Sequence, residues 1–461
     1  MINQPQDGRL VTLASILASE SSEAAQLEIR SCGISPDETY RHGLFVCLAD
    51  NVTQAEREID RAVTRGAVAV VVRRGLFSAR RCNLFASFLF EVDEPLDVFG
   101  RACQILLDRP ADKLRLIAVT GTSGKTSLSY LIAGMFAEAG TQVGLIGSLG
   151  VYNGKTLVPG TETTPTADRL ALRLAEMVEN GCTHAIIEVS VQALAEHRIA
   201  GLKFDAICLT NIRRDHLDEL HTVEQYRKTK MKIFDYATPE TLVVCNSDDR
   251  VTQAVLHLID NPTITVGLRP SDCLVSGMPV EQNRGGQTFY IVAGNDAIPV
   301  HSKIIGTEHL YNCLLAAALG ICRNIDLHTI VPGLERVEHI PGRLEQIDCG
   351  QPFAVFVDNA ATPETLEATL RTVRSITSRR LYCVLGTPTD GDRSKRPVLG
   401  QLASNMADEL VITSADFATP ASEETLADVL KGTKNAPHAR TYCLRPEAIA
   451  WALSNASPDD T

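Results

Sequence analysis

The chain has 461 residues, of which 44% are hydrophobic and 22% charged, with a formal net charge of -12. That is an ordinary globular balance, and it excludes collagen, low-complexity disorder and coiled coil as descriptions of the whole chain. The acidic excess argues against nucleic acid as the main partner, because phosphate-backbone binding needs clustered positive charge. A local pocket for a small phosphorylated ligand stays open. The 13 cysteines are scattered and none form a Cys-x-x-Cys pair, which predicts free thiols in a reducing compartment. The first residues lack the basic stretch and apolar core of a signal peptide. No apolar run reaches the ~18 residues of a membrane helix. The expectation is a cytoplasmic protein without membrane insertion.

The elements predict an α/β chain in three domains. Residues 1–110 hold short apolar runs, Gly43-Leu-Phe-Val-Cys-Leu48 and Ala67-Val-Ala-Val-Val-Val72, separated by helical patterns. Asp108-Arg-Pro-Ala-Asp-Lys113 interrupts both periodicities and reads as a linker. In residues 111–340 apolar runs recur at 116–119, 143–146, 185–187, 206–209 and 242–245, with longer helix-like stretches between several of them. That is the pattern of a parallel sheet covered on both faces. Residues 341–461 repeat the style with Ala354-Val-Phe-Val357, Leu381-Tyr-Cys-Val-Leu385 and Leu410-Val-Ile-Thr413.

The strongest chemical signal follows the run at 116–119. Thr120, Gly121, Thr122, Ser123, Gly124, Lys125, Thr126 and Ser127 lead into Leu128, Leu131, Ile132, Met135 and Phe136, which fall on one helix face. A strand, a glycine loop and a helix start present a row of N–H donors at a positive helix end. Lys125 can reach terminal phosphates and Thr126 can put a hydroxyl on Mg²⁺. Val119 stands where the longer form of this motif has its first glycine. Glu188 ends the run 185–187, and Arg214-Asp-His-Leu-Asp218 follows the run 206–209. Glu188 and His216 could complete a cation site with nucleotide oxygens; a capping aspartate and a surface histidine are the equally weighted alternative.

These residues together resemble the Mur ligases, most of all the E-type, the UDP-N-acetylmuramyl-tripeptide synthetases. The resemblance is carried by 120–126, Thr163-Thr164-Pro165, Glu188-Val189-Ser190, Thr210-Asn211 with 214–218, Asn246-Ser-Asp-Asp249 and Pro341-Gly-Arg343. The family loop is short, which accounts for Val119. The resemblance implies a three-domain architecture, with a central phosphate-loop domain on a parallel sheet and a Rossmann-like carboxyl-terminal domain. It also implies an ATP-dependent, ADP-forming carboxylate–amine ligase that works through an acyl phosphate in peptidoglycan precursor synthesis, with Mg²⁺ as its metal. By the same resemblance Thr126 and Glu188 serve the metals with His216, and Lys230 is the carbamylated lysine. Asn312, Arg343 and Asp358 hold the adenine, ribose and phosphates. Ser31, Thr163, Thr164, Ser190 and Arg198 hold a UDP-sugar peptide or related carboxylate acceptor, to which an amino acid is added.

The departures from the family pattern fall at the selectivity ends. An amino-terminal Asp-Ser-Arg reads Arg30-Ser31-Cys32, Ser-Ser-His-Ala-Leu reads Ser190-Val-Gln-Ala-Leu194, and Glu196 replaces a substrate-facing glutamine. A carboxylate at Glu196 opposes an anionic acceptor unless a cation offsets it. Asn359 and Ala361 break Val-Asp-Tyr-Ala-His-Thr-Pro, and Gly391 falls where Gly-Gly-Asp-Arg-Asp has its arginine. Asp-Asn-Pro-Arg, which grips diaminopimelate, is replaced by Ala415-Asp-Phe-Ala418; this argues against diaminopimelate as the amine. The family's terminal Gly-Lys-Gly-His-Glu segment, with a last strand and amino-acid contacts, is not reached by Thr461. Three alternatives stay open: a ligase with a different acceptor, a degenerate nucleotide-binding paralogue that acts with a partner ligase, and a phosphate-loop kinase.

Overall fold

The computed structural model describes residues 2–3, 11–17, 27–38, 41–78, 88–160, 162–213, 222–270, 273–387, 392–433 and 439–461. The chain divides into two compact units. One comprises Met1–Val119, Thr141–Ile207 and Thr229–Thr241; the other comprises Thr120–Gly140, Cys208–Lys228 and Leu242–Thr461.

The first unit begins with a five-stranded sheet of β1 (Ile2–Asn3), β2 (Ser31–Gly33), β3 (Gly43–Val46), β4 (Ala67–Arg73) and β5 (Leu89–Val92), in that order. β2 to β5 run parallel and β1 is antiparallel to β2. The helix Pro95–Leu106 covers one face through Val98, Phe99, Ala102 and Leu106. It ends before Asp108 and Arg109, which both take positive φ, and a short 3-10 turn, Pro110–Lys113, follows. The segment read as a linker therefore consists of two left-handed residues and a 3-10 turn.

Six further strands lie wholly or mostly in this unit: β6 (Arg115–Thr120), β7 (Val143–Gly147), β8 (Gly150–Tyr152), β9 (Leu157–Val158), β10 (His184–Val189) and β11 (Phe204–Leu209). With β12 (Ala237–Asn246) they lie in the order β9-β8-β7-β10-β6-β11-β12. β10 and β7 are parallel, His184 opposite Val143 through Ile187 opposite Ile146. Ala185, Ile186 and Ile187 are all fully buried, as a strand covered on both faces requires. The helix Ala167–Glu179 contributes Leu170, Leu174 and Met177 to that cover. Each such side chain is worth about 1.5–3 kcal/mol when fully buried.

In the second unit the last residues of β12 pair in parallel with β13 (Thr263–Gly267). β14 (Val275–Asn283), β15 (Gly286–Ala293) and β16 (Asp296–Ser302) then form an antiparallel meander. The meander adds antiparallel strands beyond the apolar runs that the sequence reading assigned to the parallel sheet. Two-residue links, Arg284-Gly285 and Gly294-Asn295, leave no room for a crossover helix, so the pairing must be antiparallel. The helices Lys125–Glu138, Thr307–Cys322 and Leu327–Glu335 pack together, with Met135 over Gly320 and Gly333.

Beyond residue 340, β17 (Tyr382–Thr387), β18 (Glu409–Ser414) and β19 (Arg440–Thr441) are parallel, with the helices Lys395–Met406, Glu423–Leu430 and Arg445–Asn455 against them and Pro363–Ile376 packed on Lys395–Met406. The run Ala354–Val357, expected as a strand of this sheet, gives only the two-residue strand Phe356–Val357, antiparallel to Glu345–Gln346. The amide of Ala354 donates instead to the carbonyl of Asp460. Asp460 has 0% exposure and pairs with Arg380, while Tyr382 N donates to Thr461 O at 2.8 Å. No helix among the described residues is long and apolar enough to cross a membrane.

Candidate active site

The second unit contains a strand–loop–helix cradle. β6 ends at Thr120, whose carbonyl accepts from Thr210 N at 3.0 Å. Gly121 (φ 147°) and Gly124 (φ 85°) take conformations that favour glycine. A Cβ at Gly121 would meet Thr210 Oγ1, and one at Gly124 would lie 2.9 Å from Asn312 Oδ1. Gly124 opens the helix Lys125–Glu138, so the loop and the first helical amides face one ligand space. Thr126 and Ser127 sit buried in the first turn. Lys125 Nζ donates to the carbonyls of Gly121 (2.9 Å) and Thr122 (3.1 Å).

Residues distant in sequence brace that loop. Asn211 Oδ1 accepts from Ser123 N at 3.2 Å, and Thr210 Oγ1 donates to Ser123 O at 2.6 Å. Thr122 Oγ1 lies 2.8 Å from the buried Tyr226 hydroxyl and accepts from Arg213 N at 2.9 Å. Arg343 donates to Thr126 Oγ1 at 3.2 Å. Asp358 accepts from Leu344 N and Thr369 Oγ1, each at 2.9 Å. Burial raises its carboxyl above the usual range, against those donors and Arg343. Asn312, which in isolation reads as a helix cap, is buried inside the helix Thr307–Cys322. All these groups belong to one unit.

The first unit carries a carboxylate and hydroxyl cluster. Glu188, at 0% exposure, receives Ser148 N on one oxygen and Ser148 Oγ on the other, each at 3.3 Å. Ser148 Oγ is 2.9 Å from Thr163 Oγ1. Thr164 Oγ1 donates to Glu188 O at 2.7 Å and accepts from Ser190 N at 3.1 Å. Ser190 caps the short helix Val191–Ala195 through Ala193 N. Arg198 Nη1 donates to Thr164 O at 2.8 Å, so the Thr163, Thr164, Ser190 and Arg198 group assembles around the end of β10. Ser31 lies apart on β2, its hydroxyl buried and lacking a hydrogen-bond partner among the described residues. Lys230 is 2% exposed, beside exposed Arg227 and Lys228, so it does not belong to a solvated helix face. His216 and the rest of 214–218 lie outside the described residues, as does Gly391.

Three contributors carry no functional signal in the sequence. Tyr226 and Ser148 have no motif around them. Glu162 gives no signal until Arg198 is seen against it. Thr210 and Asn211 were legible as a strand end, and their grip on Ser123 is a tertiary fact.

A strand–loop–helix phosphate cradle with a lysine and an arginine converging on it defines an α/β nucleoside-triphosphate enzyme. Residues 119–320 match the Mur ligase middle domain, and residues 342–461 match the Mur ligase glutamate ligase domain. The UDP-N-acetylmuramoyl-L-alanyl-D-glutamate–2,6-diaminopimelate ligase of Geobacillus thermodenitrificans is 33% identical over 94% of this chain and 88% of its own. The ligase of the same name from Bacillus licheniformis is 32% identical over 98% and 92%. A solved structure of such a diaminopimelate ligase has a TM-score of 0.69 at 24% identity, covering 98% of this chain and 92% of its own. A MurF ligase from Thermotoga maritima in complex with ADP has a TM-score of 0.63 at 16% identity, covering 94% and 92%; both show the fold. The chain belongs to the Mur ligase family. It is an ATP-dependent amide-forming ligase of that family.

Proposed function

We propose that this ligase joins an amino acid to a free carboxylate of UDP-N-acetylmuramoyl-L-alanyl-D-glutamate or a close variant of it, through an acyl phosphate, in peptidoglycan precursor synthesis. The observation that carries the reading is the cradle around Lys125, with Arg343 on Thr126 and Asn211 on Ser123. In this reading 1–110 receives the nucleotide end of the acceptor, 111–340 binds ATP and 341–461 brings the amine. Phosphorylating a carboxylate needs charge neutralisation on the transferring phosphoryl group more than it needs a protein nucleophile. Lys125 and Arg343 supply fixed positive charge, and Gly121 to Thr126 supply amide donors. Asn312 and Asp358 flank the nucleoside. Thr163, Thr164, Ser190 and Arg198 orient the acceptor, and Ser31 offers its buried hydroxyl to the uridine end.

Mg²⁺ suits each donor assigned to the metals taken by itself, since a threonine hydroxyl (Thr126) and a buried carboxylate (Glu188) are both hard oxygen ligands. When bound, the ion would neutralise charge on the polyphosphate. Lys230 is buried, and in this reading it carries the carbamate. The twelve described cysteines are all free, in keeping with a reducing cytoplasm.

The relatives are named for diaminopimelate, which makes it the first amine to test. The loop after β18 points the other way. Asp416 there accepts from Ala418 N and Thr419 Oγ1, which with nearby amides hold its carboxyl below the usual range, and Phe417 is 67% exposed. A carboxylate in that loop opposes a second distal carboxylate on the amine. The test is phosphate release from ATP and Mg²⁺ with the acceptor and a set of amines, diaminopimelate, lysine and neutral amino acids, each component dropped in turn. Release that needs both acceptor and amine is the expected result, and mass spectrometry names the product. Release without an amine, leaving a stable phosphorylated product, would replace the ligase reading with a kinase. No release with any pair, while ADP still binds, would leave a nucleotide-binding paralogue.

A further inference from the structure

Arg198 is the cation among the proposed acceptor residues, yet its charge is already answered. Its side chain is 11% exposed and lies between two carboxylates, with Nε donating to Glu196 at 2.7 Å and Nη1 to Glu162 at 2.9 Å. The remaining Nη1 hydrogen is taken by Thr164 O at 2.8 Å. Gln192 Nε2 donates to the other oxygen of Glu196 at 2.9 Å and holds that carboxylate in place. One guanidinium and two carboxylates sum to a charge of -1. His197, next in the chain, does not alter the sum, because it faces Asp97 at 2.9 Å and Glu94 at 3.7 Å.

The hydrogen-bond geometry sharpens the point. A guanidinium has five N–H donors, and it grips a carboxylate with two parallel donors from neighbouring nitrogens. With Nε and both Nη1 hydrogens engaged among the described residues, only the two hydrogens of Nη2 are left. No pair of neighbouring nitrogens is open for the two-point grip. An incoming carboxylate would have to displace Glu196 or Glu162 and would face the other at close range. A primary amide meets the site as it stands. Its carbonyl accepts from Nη2, and its N–H bonds donate to Glu196 or Glu162. Unlike charge, that pattern leaves no polar group without a partner.

We infer that Glu196, with Glu162, is a specificity-determining residue that makes this ligase select an acceptor whose non-reacting carboxyl is masked as an amide. The inference rests on the proposed acceptor site and deepens it. The reaction is unchanged: one free carboxylate is phosphorylated, and the amine then displaces phosphate. The test compares UDP-N-acetylmuramoyl-L-alanyl-D-glutamate with the same nucleotide carrying an α-amide on its terminal glutamate. Affinity is read by calorimetry with the whole chain and ADP, and turnover by phosphate release. Wild type is expected to favour the amide at least 10-fold in kcat/KM and in affinity. Glu196→Gln is expected to shift that ratio toward the diacid by 10-fold or more, and Glu162→Gln in the same direction. The E162Q variant keeps the question answerable should E196Q not fold. Equal or better use of the diacid by wild type, or an amide preference that neither substitution moves, would overturn the inference. Binding of neither nucleotide by wild type or variants that still bind ADP would overturn the acceptor site itself, and the inference with it.

Discussion

Two residues in the second unit make the chemistry of single groups testable. Lys125 Nζ sits on two loop carbonyls, at 2.9 and 3.1 Å, and its charge is the one the phosphates would draw away. Lys125→Ala should lower ATP turnover by about 100-fold or more, as a lost charge-assisted contact to a developing charge does, with the urea midpoint little changed. Arg343→Ala should cost about 10- to 100-fold in kcat/KM, corresponding to about 1.5–3 kcal/mol for a hydrogen bond from a charged donor. His309 gives a pH prediction. It is buried in the helix Thr307–Cys322, with Ser302 Oγ 3.0 Å from Nε2 and Nδ1 lacking a partner among the described residues. Burial pushes its pKa down to about 4. An unfolded histidine titrates near 6.5, so on acidification the unfolded chain takes the proton first. The contribution is whole above about pH 6.5 and is lost as the pH falls toward about 4. Between pH 7 and 5 the loss should be about 2 kcal/mol. Urea titrations of wild type and His309→Gln check it, the variant showing the shallower dependence.

At the scale of elements, the phosphate loop is a case where sequence and structure agree for a reason. A buried strand, two glycines and a largely apolar helix are all local signals, and each is strong. Gly121→Ala should therefore fail on two counts, a positive φ and the contact with Thr210 Oγ1. The expected cost is about 1–3 kcal/mol in stability, with loss of nucleotide binding, measurable by urea unfolding and calorimetry with ADP. Thr362 heads the helix Pro363–Ile376 in a reciprocal capping box with Thr365. Thr362→Ala should cost about 1 kcal/mol by the same unfolding assay. Other elements were illegible because tertiary contacts decide them. The β14–β16 meander hides in short runs broken by glycine and polar residues, and Ala354–Val357 is apolar enough for a sheet strand but is engaged by Asp460. Lys230 stands in a basic run whose solvated appearance is right for Arg227 and Lys228 and wrong for the one lysine that the helix turns inward. Glu196 was recognised as an intrusion of charge; that Arg198 answers it, with Glu162 as a third member, needed the fold.

For the whole molecule, the distribution of the cradle along the chain has a thermodynamic consequence. Its groups come from residues 120–127, 210–213, 226, 312, 343 and 358, segments separated by long stretches of sequence but contained in one compact unit. The unfolded chain cannot hold them together, so a nucleotide that binds there binds the native state alone. Linkage then requires stabilisation by RT ln(1 + [L]/Kd), about 2.7 kcal/mol at a ligand concentration of 100 Kd. For a unit of this size that corresponds to a rise in midpoint of roughly 5–10 °C. Differential scanning calorimetry with ADP should show the rise, and Gly121→Ala should abolish it, since that substitution closes the loop. A rise that persists in Gly121→Ala would place the nucleotide elsewhere and remove the cradle assignment. Reducing agent should leave the same midpoint where it is, because the described cysteines are free and burial pushes the thiols of Cys208, Cys245 and Cys383 up to about 12. The two arms separate the sources of stability in this chain: a ligand that links distant segments should raise the midpoint, and thiol chemistry should not.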